Sequence, residues 1–257
     1  MSVVTKIVSV LYCASLLAAC ASGGGVESGA ASGGRPGLKS QSAGGSKAFT
    51  SGARQNAVRS RRAGGGPRIS GDIVNAVRLS AAQLERQRIM YRQGPGLQDC
   101  SGIFHQVLRD LKKRLPWVAG VALPDPGTYR STRQLGRWYH QQGELQIVRN
   151  AANQGQLITP GMVLFYGRPR ARYSATNPNA LFEPGGIVHM GIVVDVTRDA
   201  AGRVTEYGLF HGRSTGKYAK TTRYHKRTHP RYPPFGNGNE PWVAFAPVIP
   251  KRPGTDR

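Results

Sequence analysis

The chain is poor in acidic residues, in cysteine and in aromatics. Only 13 of its 257 residues are Asp or Glu, against 36 Lys and Arg, giving a formal net charge of +23. Such an imbalance favours polyanionic partners at low salt: nucleic acid, anionic lipid or lipopolysaccharide, or an acidic wall polymer. No helix-turn-helix, zinc-finger or aromatic RNA-binding pattern is present, and the basic residues are scattered along the whole chain. Nucleic acid is therefore not expected as a partner. Apolar residues make up 39% of the chain, below the usual globular share, so part of it is not core. The apolar run from Ile7 to Ala19, broken by Ser9, Tyr12, Cys13 and Ser15, is too short to span a bilayer. Neither His-Glu-x-x-His nor paired-cysteine spacing occurs, which weighs against zinc held by Cys100, His189 and His211.

What is present begins with an export signal over residues 1–20, with Lys6 as its positive end. Its last residues, Leu17-Ala18-Ala19-Cys20, resemble the bacterial lipobox, in which the Cys thiol receives diacylglycerol before cleavage. That resemblance implies a lipoprotein anchored through Cys20 in the bacterial envelope. Ala21 after the Cys points to the periplasmic face of the outer membrane in a Gram-negative host. Residues 21–68 are dominated by Gly, Ala, Ser and Arg and cannot bury enough surface to offset ordering entropy, so they read as a disordered tether. There are three cysteines. With Cys13 in the removed signal and Cys20 lipidated, Cys100 is the remaining free thiol and no intramolecular disulfide can form.

A single domain is expected over residues 69–250, followed by a tail over 251–257. Ser70 is placed to cap a helix running to about Arg92, which Gly94-Pro95-Gly96 stops. A second helix starts near Cys100, because Ile103, Phe104, Val107, Leu108, Leu111 and Leu115 recur at three- and four-residue spacing; Pro116 ends it. A third covers about Ser131 to Gln142. Beyond Gly155 the pattern turns to strands: Met162 to Tyr166, Ile187 to Val196, Val204 to His211, and Trp242 to Val248. Two polar insertions, Arg168 to Gly186 and Gly212 to Glu240, separate them. Helices followed by an antiparallel sheet make an α+β fold.

The sharpest local feature is Asp99-Cys100-Ser101-Gly102 at a helix start. Unpaired N–H groups and the positive dipole end there favour a thiolate. His189 lies in the apolar strand Val188-His189-Met190-Gly191, where an imidazole needs polar partners. A hairpin turn at Asp199 to Gly202 places His211 close to opposite His189 or Met190, so one ring can hold the other's tautomer. His225 and His229 read as solvated loop residues.

Tyr91, the Gly-Pro-Gly turn, Asp-Cys-Ser-Gly opening a helix, Pro160-Gly161 before a strand, His-Met-Gly-Ile-Val and Phe-His-Gly together resemble the NlpC-type family of cell-wall cysteine peptidases over about residues 70 to 250. The resemblance implies a papain-like α+β fold with N-terminal helices packed on an antiparallel sheet. It implies Cys100 as nucleophile, His189 as base and His211 as third polar residue, with Tyr91, Asp99 and Ser101 facing substrate. It also implies an endopeptidase acting on peptidoglycan stem peptides, often between D-glutamate and a diamino acid, as a monomer and with no metal or organic cofactor. Two positions depart from the family pattern: Met162 replaces an Asp, and the stretch from Tyr91 to Cys100 is short. Two rivals stay open on the residues alone. One is an inactive lipoprotein that binds wall or lipopolysaccharide; the other is a cysteine amidase or acyltransferase working on a different amide.

Overall fold

The structure, a computed structural model, describes residues 69–93, 96–168, 177–226 and 232–251, all within the second of the two units into which the chain divides, Arg59–Arg257. The export signal with Cys20, the tether to residue 68, Gly94-Pro95, His229 and the tail beyond residue 251 lie outside the described residues.

Helix α1, Gly71–Arg86, begins where the Ser70 hydroxyl accepts the Ile73 N–H at 3.5 Å, with Asp72 in the first turn. Ile73, Ala76, Val77, Ala81 and Leu84 form its buried face. It stops short of the expected Arg92. Arg88 adopts a left-handed φ of 49°, and the chain continues extended so that Met90 bridges Tyr218 and the Tyr91 N–H donates to the Lys217 carbonyl at 2.8 Å. This pairing with a distant segment satisfies backbone groups that a further helical turn would otherwise have used.

Helix α2, Cys100–Arg114, has the expected limits and buries Ile103, Phe104, Val107, Leu108 and Leu111. Each such side chain contributes roughly 1.5–3 kcal/mol relative to exposure. Its first turn is tight against the preceding loop: a Cβ on Gly102 would lie 2.3 Å from the carbonyl carbon of Leu97 and 2.4 Å from its Cα. Backbone cannot swing aside as a flexible side chain can. Gly102→Ala is therefore expected to cost about 1–3 kcal/mol, the usual range for overpacking. Urea unfolding checks this, and a midpoint equal to wild type would show that the Leu97 loop yields freely.

Helix α3, Thr132–Gln141, is held by a capping box between Ser131 and Gln134, and it buries Leu135, Trp138 and Tyr139. The strands are β1 (Gln146–Ile147), β2 (Met162–Gly167), β3 (Ile187–Arg198), β4 (Val204–His211), β5 (Lys220–His225) and β6 (Trp242–Pro247), with a short helix α4 (Ala151–Gln154) after β1. They form one six-stranded sheet in the order β1-β6-β2-β3-β4-β5, every pair antiparallel. The fold is α+β, with helices from the first half of the domain packed on the sheet. Strand β5 corrects the reading of 212–240 as an insertion, and His225 accordingly sits on a strand, its Nδ1 3.1 Å from Glu206 Oε2.

Side chains alternate across the sheet as the two-residue strand period requires. Val163, Phe165, Met190, Ile192, Val194, Phe210, Ala244 and Ala246 share a core with the helices. Leu164, Tyr166, Val193, Tyr207, Leu209, Tyr224 and Phe245 face a second core, which Phe235 and Trp242 help to fill. Among the described residues no helix is long and apolar enough to cross a membrane.

Candidate active site

Asp99 caps α2 and organises its first turn. Its Oδ1 accepts the Gly102 N–H at 2.7 Å, the Ser101 hydroxyl at 3.0 Å and the Arg130 guanidinium at 2.8 Å. The same Arg130 nitrogen lies 2.8 Å from Ser101 Oγ. These bonds fix the turn that carries Cys100. Of the residues expected to face substrate, Asp99 is thus already engaged by three donors and Ser101 is only 2% exposed. Tyr91 is half-buried and interacts electrostatically with both Cys100 and Asp99. Burial first, and then the Cys100 charge, raise its phenol above the ordinary tyrosine value.

Strands β3 and β4 open a place for that turn. They pair as far as Ile192↔Phe210 and no further toward the start of β3. Where the ladder would continue, Gly212 lies against the Asp99 carbonyl and the Cys100 nitrogen; a Cβ there would come within 2.9 and 3.0 Å of them. The Met190 N–H, released from any β4 partner, acts on the Cys100 sulfur instead. The N-terminus of α2 therefore fills the split between the two strands. Cys100 belongs to the helix-side core and is 9% exposed.

The histidines share the opposite face of the sheet with Tyr166, which pairs with His189 across β2 and β3 and has its ring 6.0 Å away. His189 Nε2 and His211 Nδ1 are 2.6 Å apart, with the rings nearly perpendicular. His211 continues through Nε2 to Thr222 Oγ1 at 3.0 Å. The register differs slightly from expectation: His211 comes level with Gly191, where a Cβ would approach the His211 Cβ to 3.0 Å. The offset is set at the turn, where the Asp199 N–H donates to the Arg203 carbonyl and Arg198 pairs with Val204; the irregularities at Thr197/Arg198 and Val193/Asp195 then cancel along the ladder.

The electrostatics also differ from the sequence expectation of a thiolate. Burial, and then the Asp99 carboxylate, push the Cys100 thiol up to about 12, while the N–H groups of Ser101, Cys100 and Met190 act in the other direction. Burial takes His189 down to about 4. His211 is lowered well below the usual imidazole value by burial, then by His189 and Arg213. Desolvation outweighs the helix N-terminus, and the resting pair is a neutral thiol with a neutral imidazole. Among the described residues no hydrogen bond joins Cys100 to His189.

An expected result follows for pH dependence. A raised thiol pKa means that the reactive anion is scarcer than for a free thiol at every pH below about 12. Iodoacetamide should therefore modify resting Cys100 more slowly than a free cysteine between pH 7 and pH 9, with the rate still climbing above pH 9. Mass spectrometry of timed samples checks this, and a rate that levels off below pH 7 would show a thiolate already formed.

Two residues of the site escaped the sequence reading. Arg130 stands in the loop before α3, and its only sequence signal is its place beside the Ser131 cap. Thr222 was hidden because β5 was not recognised. Among the described residues no group of three His, Cys, Asp or Glu is arranged to hold a metal ion. The facing nitrogens of His189 and His211 are turned on each other, so their lone pairs do not converge on a common point. No family model, curated protein or solved structure matches the chain, so any reading of the site rests on its own residues.

Proposed function

We propose that the protein is a cysteine endopeptidase of the NlpC type, with a papain-like arrangement of nucleophile and base, that hydrolyses amide bonds in peptidoglycan stem peptides. One observation carries the reading. A cysteine at a helix N-terminus sits in the split between two strands, and beside that split one histidine is bonded to a second through Nε2. This leaves Nδ1 of His189 as the nitrogen available to take a proton from Cys100.

The chemistry follows from the neutral resting pair. As Cys100 Sγ attacks the carbonyl carbon, its proton passes to His189 Nδ1, so charge separation arises only during attack. The negative oxygen that develops is received by the Cys100 N–H, one of the first-turn donors that a helix leaves unpaired. His189 gives the proton to the leaving amine as the C–N bond breaks, leaving a thioester on Cys100. Water, deprotonated by His189, then attacks the thioester, and the carboxylate leaves as the thiol is restored. No step calls for a metal or an organic cofactor.

An exported protein held by lipid on Cys20 and carrying a net charge of +23 would meet such a substrate in the envelope, with anionic envelope polymers as further partners. The buried neutral thiol supports one other reading, a wall-binding protein without turnover. Mass spectrometry of products from purified sacculi and defined muropeptides separates the two. Hydrolysis is expected to yield fragments with one added water and a new amino terminus on the diamino acid. Absence of products from every wall type, together with tight retention on sacculi, would favour the binding protein.

A further inference from the structure

We propose that Thr222 is a positioning residue that sets the tautomer of His189 by accepting a hydrogen bond from His211. The inference rests on the reading of Cys100 and His189 as nucleophile and base, and concerns what makes the base able to act.

The three groups form a single line: His189 Nε2 to His211 Nδ1 at 2.6 Å, and His211 Nε2 to Thr222 Oγ1 at 3.0 Å. A neutral imidazole carries one N–H and one bare nitrogen, so a line of two neutral rings has only two polarities. In the first, Thr222 accepts from His211 Nε2–H, the bare His211 Nδ1 accepts from His189 Nε2–H, and His189 Nδ1 is bare. In the second, the Thr222 hydroxyl donates to His211 Nε2, His211 Nδ1–H donates to His189 Nε2, and His189 Nδ1 carries the proton. Only the first leaves His189 able to receive the thiol proton.

Two observations favour the first polarity. The Cys100 sulfur already faces the N–H groups of Ser101, Met190 and its own residue. On the reading that His189 Nδ1 serves Cys100, a further N–H there would add a donor where donors are in excess, whereas a bare nitrogen gives the S–H an acceptor. Thr222 is half-buried, so its hydroxyl hydrogen can reach solvent while its oxygen accepts from His211. Its place on β5 explains the reach. Thr222 pairs with Leu209, two residues before His211 on β4, so the two side chains share a face and meet on the diagonal.

The test uses the full chain labelled with nitrogen-15 in histidine, comparing wild type, Thr222→Ser and Thr222→Val at pH 7. Ring nitrogen shifts report which nitrogen of each ring is protonated. Wild type and Thr222→Ser are expected to show Nε2–H on both His189 and His211. Thr222→Val should move His211, and with it His189, toward Nδ1–H. Hydrolysis of a defined muropeptide is expected to lose about tenfold to a hundredfold in kcat in Thr222→Val, with KM little changed and full recovery in Thr222→Ser. Nδ1–H on His211 in the wild type would overturn the proposal, even if Thr222→Val failed to fold. So would unchanged tautomers in a folded Thr222→Val protein, whatever its activity. If the tautomers behave as expected but wild type cleaves no muropeptide, the relay stands and the peptidase reading falls.

Discussion

A Cys100→Ala protein is expected to fold as wild type does and to lose hydrolysis of peptidoglycan by a factor on the order of 10⁴ or more. Loss of the sulfur removes the only atom of the site that can form the thioester. It leaves the turn in place, because Asp99 holds that turn through Gly102, Ser101 and Arg130 and not through the thiol. Cys100→Ser is expected to be almost as inactive. A hydroxyl is a far weaker acid than even this raised thiol, and a neutral His189 at the edge of a buried site is a poor base for it. Product analysis on sacculi, with thermal unfolding to establish the fold, is the measurement. Wild-type turnover by folded Cys100→Ala would remove Cys100 from the mechanism.

His189→Ala is expected to have the second largest effect, a fall of about 10²–10⁴-fold in kcat, typical for removal of a general base. KM should change little, since the role proposed for the ring is to move a proton and not to hold the substrate. His211→Ala removes the partner of His189 Nε2 and the link to Thr222 but leaves the ring that moves the proton. Its loss is expected to be smaller, on the order of a hundredfold. Steady-state kinetics on a defined muropeptide decide the order. Should His211→Ala cost more than His189→Ala, the roles of base and orienter would have to be exchanged.

How much of this could be read from the sequence depends on how local each feature is. The limits of α2 follow from apolar spacing and Pro116, whereas the sequence reading set Asp99 toward substrate and its role as the helix cap emerged only from the structure. The four strands that bury most of their residues were legible from their apolar pattern. Strand β5 was not, because Lys-Thr-Thr-Arg-Tyr-His buries only Tyr224 and pairs with β4 alone. A sheet-edge strand with one buried side chain has almost no hydrophobic pattern to detect. The end of α1 was misplaced because Met90 and Tyr91 find partners at Tyr218 and Lys217, far along the chain. The candidate nucleophile and both histidines were visible as residue types in context. Their protonation states were not, since these depend on how completely the folded chain removes them from water.

That removal from water bears on how long the protein lasts. Peroxide and other oxidants attack the thiolate, and each step up the ladder from sulfenic to sulfonic acid makes recovery harder. By holding Cys100 protonated and almost covered, the split in the sheet shields the resting thiol from such damage. On the proposed mechanism the sulfur would gain its anionic character only during attack, when a carbonyl carbon is in contact with it and an oxidant is not. Irreversible oxidation of Cys100 is thus expected chiefly in unfolded or partly opened chains, in which the thiol regains its ordinary acidity.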